Sequence, residues 1–345
     1  DLQWDFSLHQ ALSLFALTAL ERLDPASPTY AVDVVSVVES VLEDPDIVLR
    51  KQTDRAKGKL VEELKAEGVP YEERMAKLEE VTHPKPLADF LFGAFEAFRE
   101  AHPWAGGTEP KPKSIGREMF ETFASFTDYV KSYGLERSEG VLLRYLSQLY
   151  RTLDQTVPEP AKTDELWDVL GFFRALVGET DASLLEEWES LRHPEELLEA
   201  KAEPEKPREA AWLRELLSDP RVFAARVRSE MHLLVRALSR RDFEDAAERV
   251  WQPAEGAEDA WTPERFEAAL ASFFDEHAEL LAGPESRLHQ WTSLKAAGPR
   301  RWSVTQTLLD PEGDNAWAVF AEIDLRDETA PDGPIISTRL GRRSS

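Results

Sequence analysis

The hydrophobic rhythm of this chain changes once, at Gly283-Pro284. Before that point apolar residues recur at helical spacing. After it they alternate. Trp302, Val304 and Leu308 fall on one side of an extended segment, with Ser303, Thr305 and Thr307 on the other. Trp317, Val319, Ala321, Ile323 and Leu325 alternate in the same way with Ala318, Phe320, Glu322 and Asp324. A period of two lines one face of a strand, and a period near 3.6 lines one face of a helix. Strands are therefore expected at Ser286–Leu294, Arg300–Leu309, Asn315–Arg326 and Ile335–Leu340. Turns are expected at Asp310–Asp314 and Pro331–Pro334, where Pro, Gly and Asp cluster. Helices followed by an antiparallel meander make an α+β arrangement.

The upstream part predicts helices at Ser7–Leu23, Tyr30–Leu42, Asp46–Glu67, Tyr71–Val81, Pro86–Glu100, Ser114–Phe123, Thr127–Tyr133, Ser138–Gln155, Thr163–Gly178 and Ser183–Leu191. The Val-rich run Val34, Val35, Val37, Val38 has strand propensity, but its length and lack of alternation favour a buried helix. Gly68-Val69-Pro70 is a helix stop, and Ser138 is placed as an N-cap with Glu139 favourable to the helix dipole. Further helices are expected at 211–217, 219–240, 242–250 and 263–282, the last started by Thr262-Pro263-Glu264. Residues 194–210 are charged and interrupted by proline, which is linker chemistry. With 345 residues, two domains are expected. The chain reads as mainly α: a helical bundle at 1–193, a linker at 194–210 and an α+β domain at 211–345.

Composition removes whole classes of function. There is no cysteine, so disulfides, thiolate metal sites and cysteine nucleophiles are out. The seven histidines are scattered without metal-binding spacing, so no metal site is expected. Asp275-Glu276-His277 is consecutive, and consecutive residues diverge around a helix. The longest apolar run, Ala11–Leu20, is about half of the ~20 residues a membrane span needs. No membrane association and a cytoplasmic location are expected. The first residue is Asp1, with nothing like a signal peptide, so the chain reads as cut or processed from a longer polypeptide. The net charge of -25 repels phosphate, so any nucleic-acid contact needs a local basic face.

One stretch points to a family. Ser125-Phe126-Thr127-Asp128-Tyr129, then Tyr133-Gly134-Leu135-Glu136-Arg137-Ser138-Glu139-Gly140-Val141-Leu142-Leu143-Arg144-Tyr145-Leu146, then Leu153-Asp154-Gln155-Thr156, resembles the C-terminal helical domain of Ski2-like DEAD/DEAH-box superfamily 2 helicases. Gly140-Val141 stands where those helicases usually have Gly-Asp. The opening stretch Trp4–Glu43 is similar to the uncharacterised region, of the DUF3516 type, that follows the helicase core in a group of bacterial proteins. The resemblance covers residues 1–193. The motor's own motifs are missing: Gly106-Gly107 continues as Thr108-Glu109-Pro110-Lys111, without a phosphate-loop Gly-Lys-Ser/Thr, and Asp164-Glu165-Leu166-Trp167 is no Asp-Glu-Ala-Asp box.

The resemblance implies a non-catalytic accessory region of an ATP-dependent helicase, which guides single-stranded RNA or DNA or regulates the motor. ATP and magnesium would belong to a RecA-like core in cis, and no cofactor to this fragment. Strand contacts are expected from Lys111, Lys113, Arg117, Arg137, Arg144 and Arg151, the last three spaced by seven. Read as ordinary surface, these pair with Glu121, Glu136 and Glu139. A second basic run, Arg50, Lys51, Arg55, Lys57 and Lys59, lies beside Asp54, Glu62 and Glu63 and reads as a solvated face.

The C-terminal part resembles, by topology alone, the NTF2-like cone. That resemblance implies a cavity that His289, Trp291, Trp302 and Trp317 would line, with Asp324 as a base, or a sheet that forms a homodimer or docks a partner. Two other readings stand beside the helicase one: a protein–protein scaffold whose acidity recruits a basic partner, and a small-molecule or proton-transfer enzyme built on the cone.

Overall fold

The structure, a computed structural model, describes residues 2–105, 109–180, 220–252, 260–326 and 336–342. The chain divides into two units, residues 1–192 and 193–345.

The first unit is helical: α1 Leu2–Leu20, α2 Tyr30–Val41, α3 Asp46–Ala66, α4 Tyr71–Glu79, α5 Ala88–Ala101, α6 Gly116–Thr122, α7 Phe126–Tyr133, α8 Glu139–Thr156 and α9 Asp164–Thr180. The valine run is α2, a helix, and it is the centre of the unit. Val34, Val35, Val37 and Val38 are all fully buried, and α1, α6, α8 and α9 pack around it. Burial on every side overrides the strand propensity of β-branched residues. Helix stops follow local chemistry. Gly68 and Gly134 take left-handed φ values of 73° and 59° after α3 and α7, where a side chain would be strained. Ser125 caps α7 by accepting from the Asp128 amide at 3.1 Å. Ser138 precedes α8 but its side chain makes no cap bond, because its ψ of 16° turns it away from the extended conformation a cap needs. α4 buries no residue at all.

In the second unit α10 Pro220–Ser239, α11 Phe243–Glu248 and α12 Pro263–Glu276 precede a sheet of β1 Thr292–Gly298, β2 Arg301–Leu308, β3 Trp317–Asp324 and β4 Ser337–Arg342. The strands run antiparallel in the order β1-β2-β3-β4. Pairing sets Trp302 opposite Ile323, Val304 opposite Ala321 and Leu308 opposite Trp317, so these residues share one face. That face joins Phe223, Val227, Met231, Leu234, Phe266, Leu270 and Phe273 of the helices in one core. Each such large side chain contributes roughly 1.5–3 kcal/mol by leaving water. The outer face carries Ser303, Thr305, Glu322, Ser337 and Arg339 around a half-buried Phe320. It is mostly polar.

Two expected elements are redrawn. α12 stops at Glu276, not near residue 282, because Leu281 leaves the helix to donate its amide to the Leu309 carbonyl at 2.9 Å. The strand expected at Ser286–Leu294 is extended only from Thr292. Short 3-10 turns occupy Pro284–Arg287 and His289–Trp291, and β1 begins at Thr292. The expected helices at Ser183–Leu191 and 211–217, the linker at 194–210 and the turn at Pro331–Pro334 lie outside the described residues. Among the described residues no helix is long and apolar enough to cross a membrane.

Candidate nucleic-acid interface

The segment that leads into α6 is anchored by two buried charges. Glu39, in the last turns of α2, is fully buried. Its carboxylate accepts from the amides of Ile115 at 2.9 Å, Gly116 at 2.8 Å and Arg117 at 3.2 Å, and from the Tyr145 hydroxyl at 2.8 Å. These amides are the orphan donors at the start of α6. Burial pushes the Glu39 carboxyl above its ordinary value, against the pull of those donors. Lys113 answers from the other side. Its ammonium donates to the carbonyls of Glu39 at 2.9 Å and Leu42 at 2.7 Å, at the end of α2, and stands 2.8 Å from Asp44.

A second buried knot ties α3, α6 and α7 together. Gln52 of α3 donates to the Ser114 carbonyl at 2.7 Å and to Glu118 at 2.8 Å. Glu118 also accepts from the hydroxyls of Tyr129 at 3.1 Å and Tyr133 at 2.6 Å. Burial first, and Glu118 second, hold both phenols above their ordinary range. Over the Tyr133 ring sits the Arg55 guanidinium, 4.8 Å from its centroid. A Cβ built on Gly134 would lie 3.6 Å from the Lys51 ammonium and 4.0 Å from a Glu136 carboxylate oxygen. Lys51 and Arg55 therefore meet the α7–α8 turn, the turn that carries Arg137. Two basic runs some eighty residues apart in sequence converge there.

The six expected strand contacts separate by burial. Lys113 is enclosed, its side chain 0% exposed, and its donors are directed at two carbonyls and Asp44. It has nothing left to offer a phosphate. Arg117 is largely covered: it bonds Asp33 and Ser36 of α2 and Glu121 of its own helix. Both serve the interior. Lys111 is exposed, 3.8 Å from Asp44. Arg137 and Arg144 are exposed and Arg151 is half-buried. Arg144 and Arg151 lie on one side of α8, but Arg137 precedes that helix, so the spacing of seven does not put all three on one helical face. Sequence reasoning set Lys51 and Arg55 aside. A signal was there: Lys51 and Arg55 flank Gln52, a neutral polar residue in a charged run of α3, which faces α6 and α7.

One family model, described as a domain of unknown function (DUF3516), matches residues 1–339. The chain belongs to the DUF3516 family. The match runs through both units of the DUF3516 chain, further than the residues 1–193 on which the resemblance rested. No curated protein and no solved structure matches it significantly.

In the second unit of the DUF3516 chain, the residues expected to line a cone cavity are spread out. Trp317 opens β3 and Asp324 closes it, so they stand about 23 Å apart along the strand. His289 is exposed in the turn before β1, and Trp291 beside it is half-buried. Trp302 packs on Phe223 with ring centroids 4.4 Å apart. Asp324 is exposed and bonded to Arg326 at 2.8 Å. His289 and Asp324 sit at opposite ends of the sheet, since β1 starts beside Gln306 and Asp324 pairs with Arg301. The structure instead groups His277, Asp310 and Glu312, with candidate ligand atoms within 4.8 Å of one another. Their bonds are already made: His277 Nδ1 pairs with Glu312 at 2.9 Å, and Asp310 accepts from the amides of Asp314 at 3.0 Å and Asn315 at 2.6 Å. This trio closes the β2–β3 turn onto the end of α12.

Proposed function

We propose that this DUF3516 chain is a non-catalytic accessory region of an ATP-dependent, Ski2-like DEAD/DEAH-box helicase, which holds or guides single-stranded nucleic acid. The contact face is Lys51, Arg55, Arg137 and Arg144, with Tyr133 beneath Arg55. One observation carries the reading: in a chain of net charge -25, α3 brings Lys51 and Arg55 onto the turn that holds Arg137. Backbone contacts of this kind need clustered cations and tolerate any base sequence. The RecA-like motor, with its ATP and magnesium, acts in cis. The second unit, helices followed by a meander, is read as an NTF2-like module.

The test is fluorescence anisotropy with single-stranded RNA and DNA of about 20 nucleotides across a salt series. Binding should weaken with salt at a slope of roughly -0.7 for each phosphate engaged. Arg55→Glu/Arg137→Glu should abolish it, while Arg117→Gln, an interior change, should not lower the salt slope. Wild-type affinity in the double variant would end the proposal.

A protein-docking reading has one observation in its favour. Tyr71 and Met75 are 67% and 43% exposed on α4. Capture of a partner that is lost in Tyr71→Ser/Met75→Ser, with no nucleic-acid binding at any salt, would replace the helicase reading. A small-molecule or proton-transfer enzyme built on the cone would need a roomy polar cavity that holds His289 or Asp324, and both side chains are exposed.

A further inference from the structure

His277 is the first residue past α12, and the helix holds it in place. Its amide donates to the Phe273 carbonyl at 2.8 Å, and its ring packs on the Phe273 ring with centroids 5.0 Å apart. The β2–β3 turn meets it from the other side. A bridge between Leu281 and Leu309 joins the two segments and brings Asp310 and Glu312 to the ring, Glu312 from 35 residues further along the chain. The His277 side chain is 6% exposed and that of Asp310 0%.

The hydrogen bonds of this trio leave one ring nitrogen over. A carboxylate only accepts, so the 2.9 Å bond to Glu312 puts the ring proton on Nδ1. In the neutral ring Nε2 then carries a lone pair. Nε2 stands 4.0 Å from Asp310 Oδ2, beyond hydrogen-bond reach. Asp310 takes the Asp314 amide on Oδ1 and the Asn315 amide on Oδ2, and each carboxylate oxygen has a second lone pair. Two acceptors across a gap repel unless a proton or a cation lies between them. A shared proton would draw the atoms to about 2.8 Å. A metal ion about 2.1 Å from each would hold them at roughly 3.4 Å in tetrahedral geometry and up to about 4.2 Å in line. The observed 4.0 Å falls in the range of the ion. A carboxylate on the far nitrogen is also the common support of a metal-binding imidazole. The backbone dipole favours a cation at the C-terminal end of α12.

We propose that His277 Nε2 and Asp310 bind a divalent first-row transition ion of the zinc class, with Glu312 orienting the ring and water completing the shell. Imidazole with carboxylate selects this class over calcium and magnesium, which take oxygen ligands. A chain without cysteine offers no thiolate to softer ions. The ion ties the end of α12 to the β2–β3 turn. The site lies in the second unit and does not rest on the strand-guiding face.

The test is isothermal titration of the full chain, stripped by a chelator, with zinc and with magnesium as the oxygen-seeking control. Zinc should bind more tightly than magnesium. His277→Gln should lose that binding, and Glu312→Ala should weaken it about tenfold by loosening the ring. Zinc should raise the melting temperature of the wild type and not that of His277→Gln. Nitrogen NMR of the wild-type histidine rings gives a readout that does not depend on any variant folding: Nε2 of His277 should shift on zinc addition while Nδ1 keeps its proton. Equal zinc affinity in wild type and in His277→Gln with native circular dichroism would assign the binding to the other histidines and acids and overturn the proposal. So would a His277 ring unmoved by excess zinc, or no zinc binding at millimolar concentration.

Discussion

Glu39 and Lys113 cap the facing ends of two helices. The Glu39 carboxylate fills the start of α6, and the Lys113 ammonium fills the end of α2. An anion at a helix start and a cation at a helix end are both favoured by the backbone dipole. Removing either partner strands buried groups. Glu39→Ala leaves three amides and the Tyr145 hydroxyl unmet, and Lys113→Ala uncovers two carbonyls and Asp44. Each variant should lose about 3–5 kcal/mol, read from urea unfolding followed by circular dichroism. An unchanged midpoint in both would mean that water replaces these bonds at no cost.

Gly116 should tolerate no side chain. A Cβ there would stand 2.2 Å from Leu149 Cδ2 and 3.1 Å from Phe173 Cζ, both in fully buried side chains. Neither has room to move aside. Gly116→Ala is expected to cost about 1–3 kcal/mol by overpacking. The double variant Gly116→Ala/Leu149→Ala should recover part of the overpacking loss relative to the sum of the single changes. Simple additivity in a double-mutant cycle would contradict the close approach.

His232 should make the second unit acid-sensitive. It is buried, donates through Nε2 to the Arg287 carbonyl at 3.3 Å, and is pushed down to about 3 by burial. The unfolded side chain titrates near 6.5. Between about 3 and 6.5 the unfolded state binds more protons, so this contribution is complete above 6.5 and is lost as pH falls towards 3. From pH 7 to pH 5 the loss should be on the order of 2 kcal/mol. His232→Gln should flatten that part of the stability profile. An identical pH dependence in wild type and variant would show that the histidine is not held neutral.

The Thr292–Gln306 pair should behave as a buried polar couple. Gln306 lies on the core face of β2 with 0% exposure, and Thr292 Oγ1 donates to its Oε1 at 2.5 Å. Thr292→Val leaves that oxygen unmet and should cost about 1–3 kcal/mol. Thr292→Val/Gln306→Leu removes both partners and should be close to neutral. If the double variant is worse than Thr292→Val alone, the pair contributes more than mutual satisfaction.

Much of the secondary structure was legible because it is decided by near neighbours. Periodicity separated helices from strands, Gly68 and Thr262 marked a stop and a start, and the length of the valine run outweighed its composition. The limits appeared where an apolar residue had a distant use. Leu281 continues the helical pattern in sequence but bonds Leu309. Gln306 looks like a surface residue of a strand, yet its polar end is met by Thr292, and this lets it lie in the core.

The sequence by itself determined the period, the breaks and the excess of negative charge, since these follow from local sterics, side-chain transfer from water and a count of ionisable groups. Only the tertiary structure decided which charges are surface and which are framework. Lys111, Lys113 and Arg117 look alike on paper, and Glu39, 74 residues before Lys113, is one acid among 66. Burial and hydrogen-bond geometry depend on which helices touch. That is why Lys113 and Arg117 became interior ties while Lys51 came to lie at Gly134 and Arg55 over the Tyr133 ring.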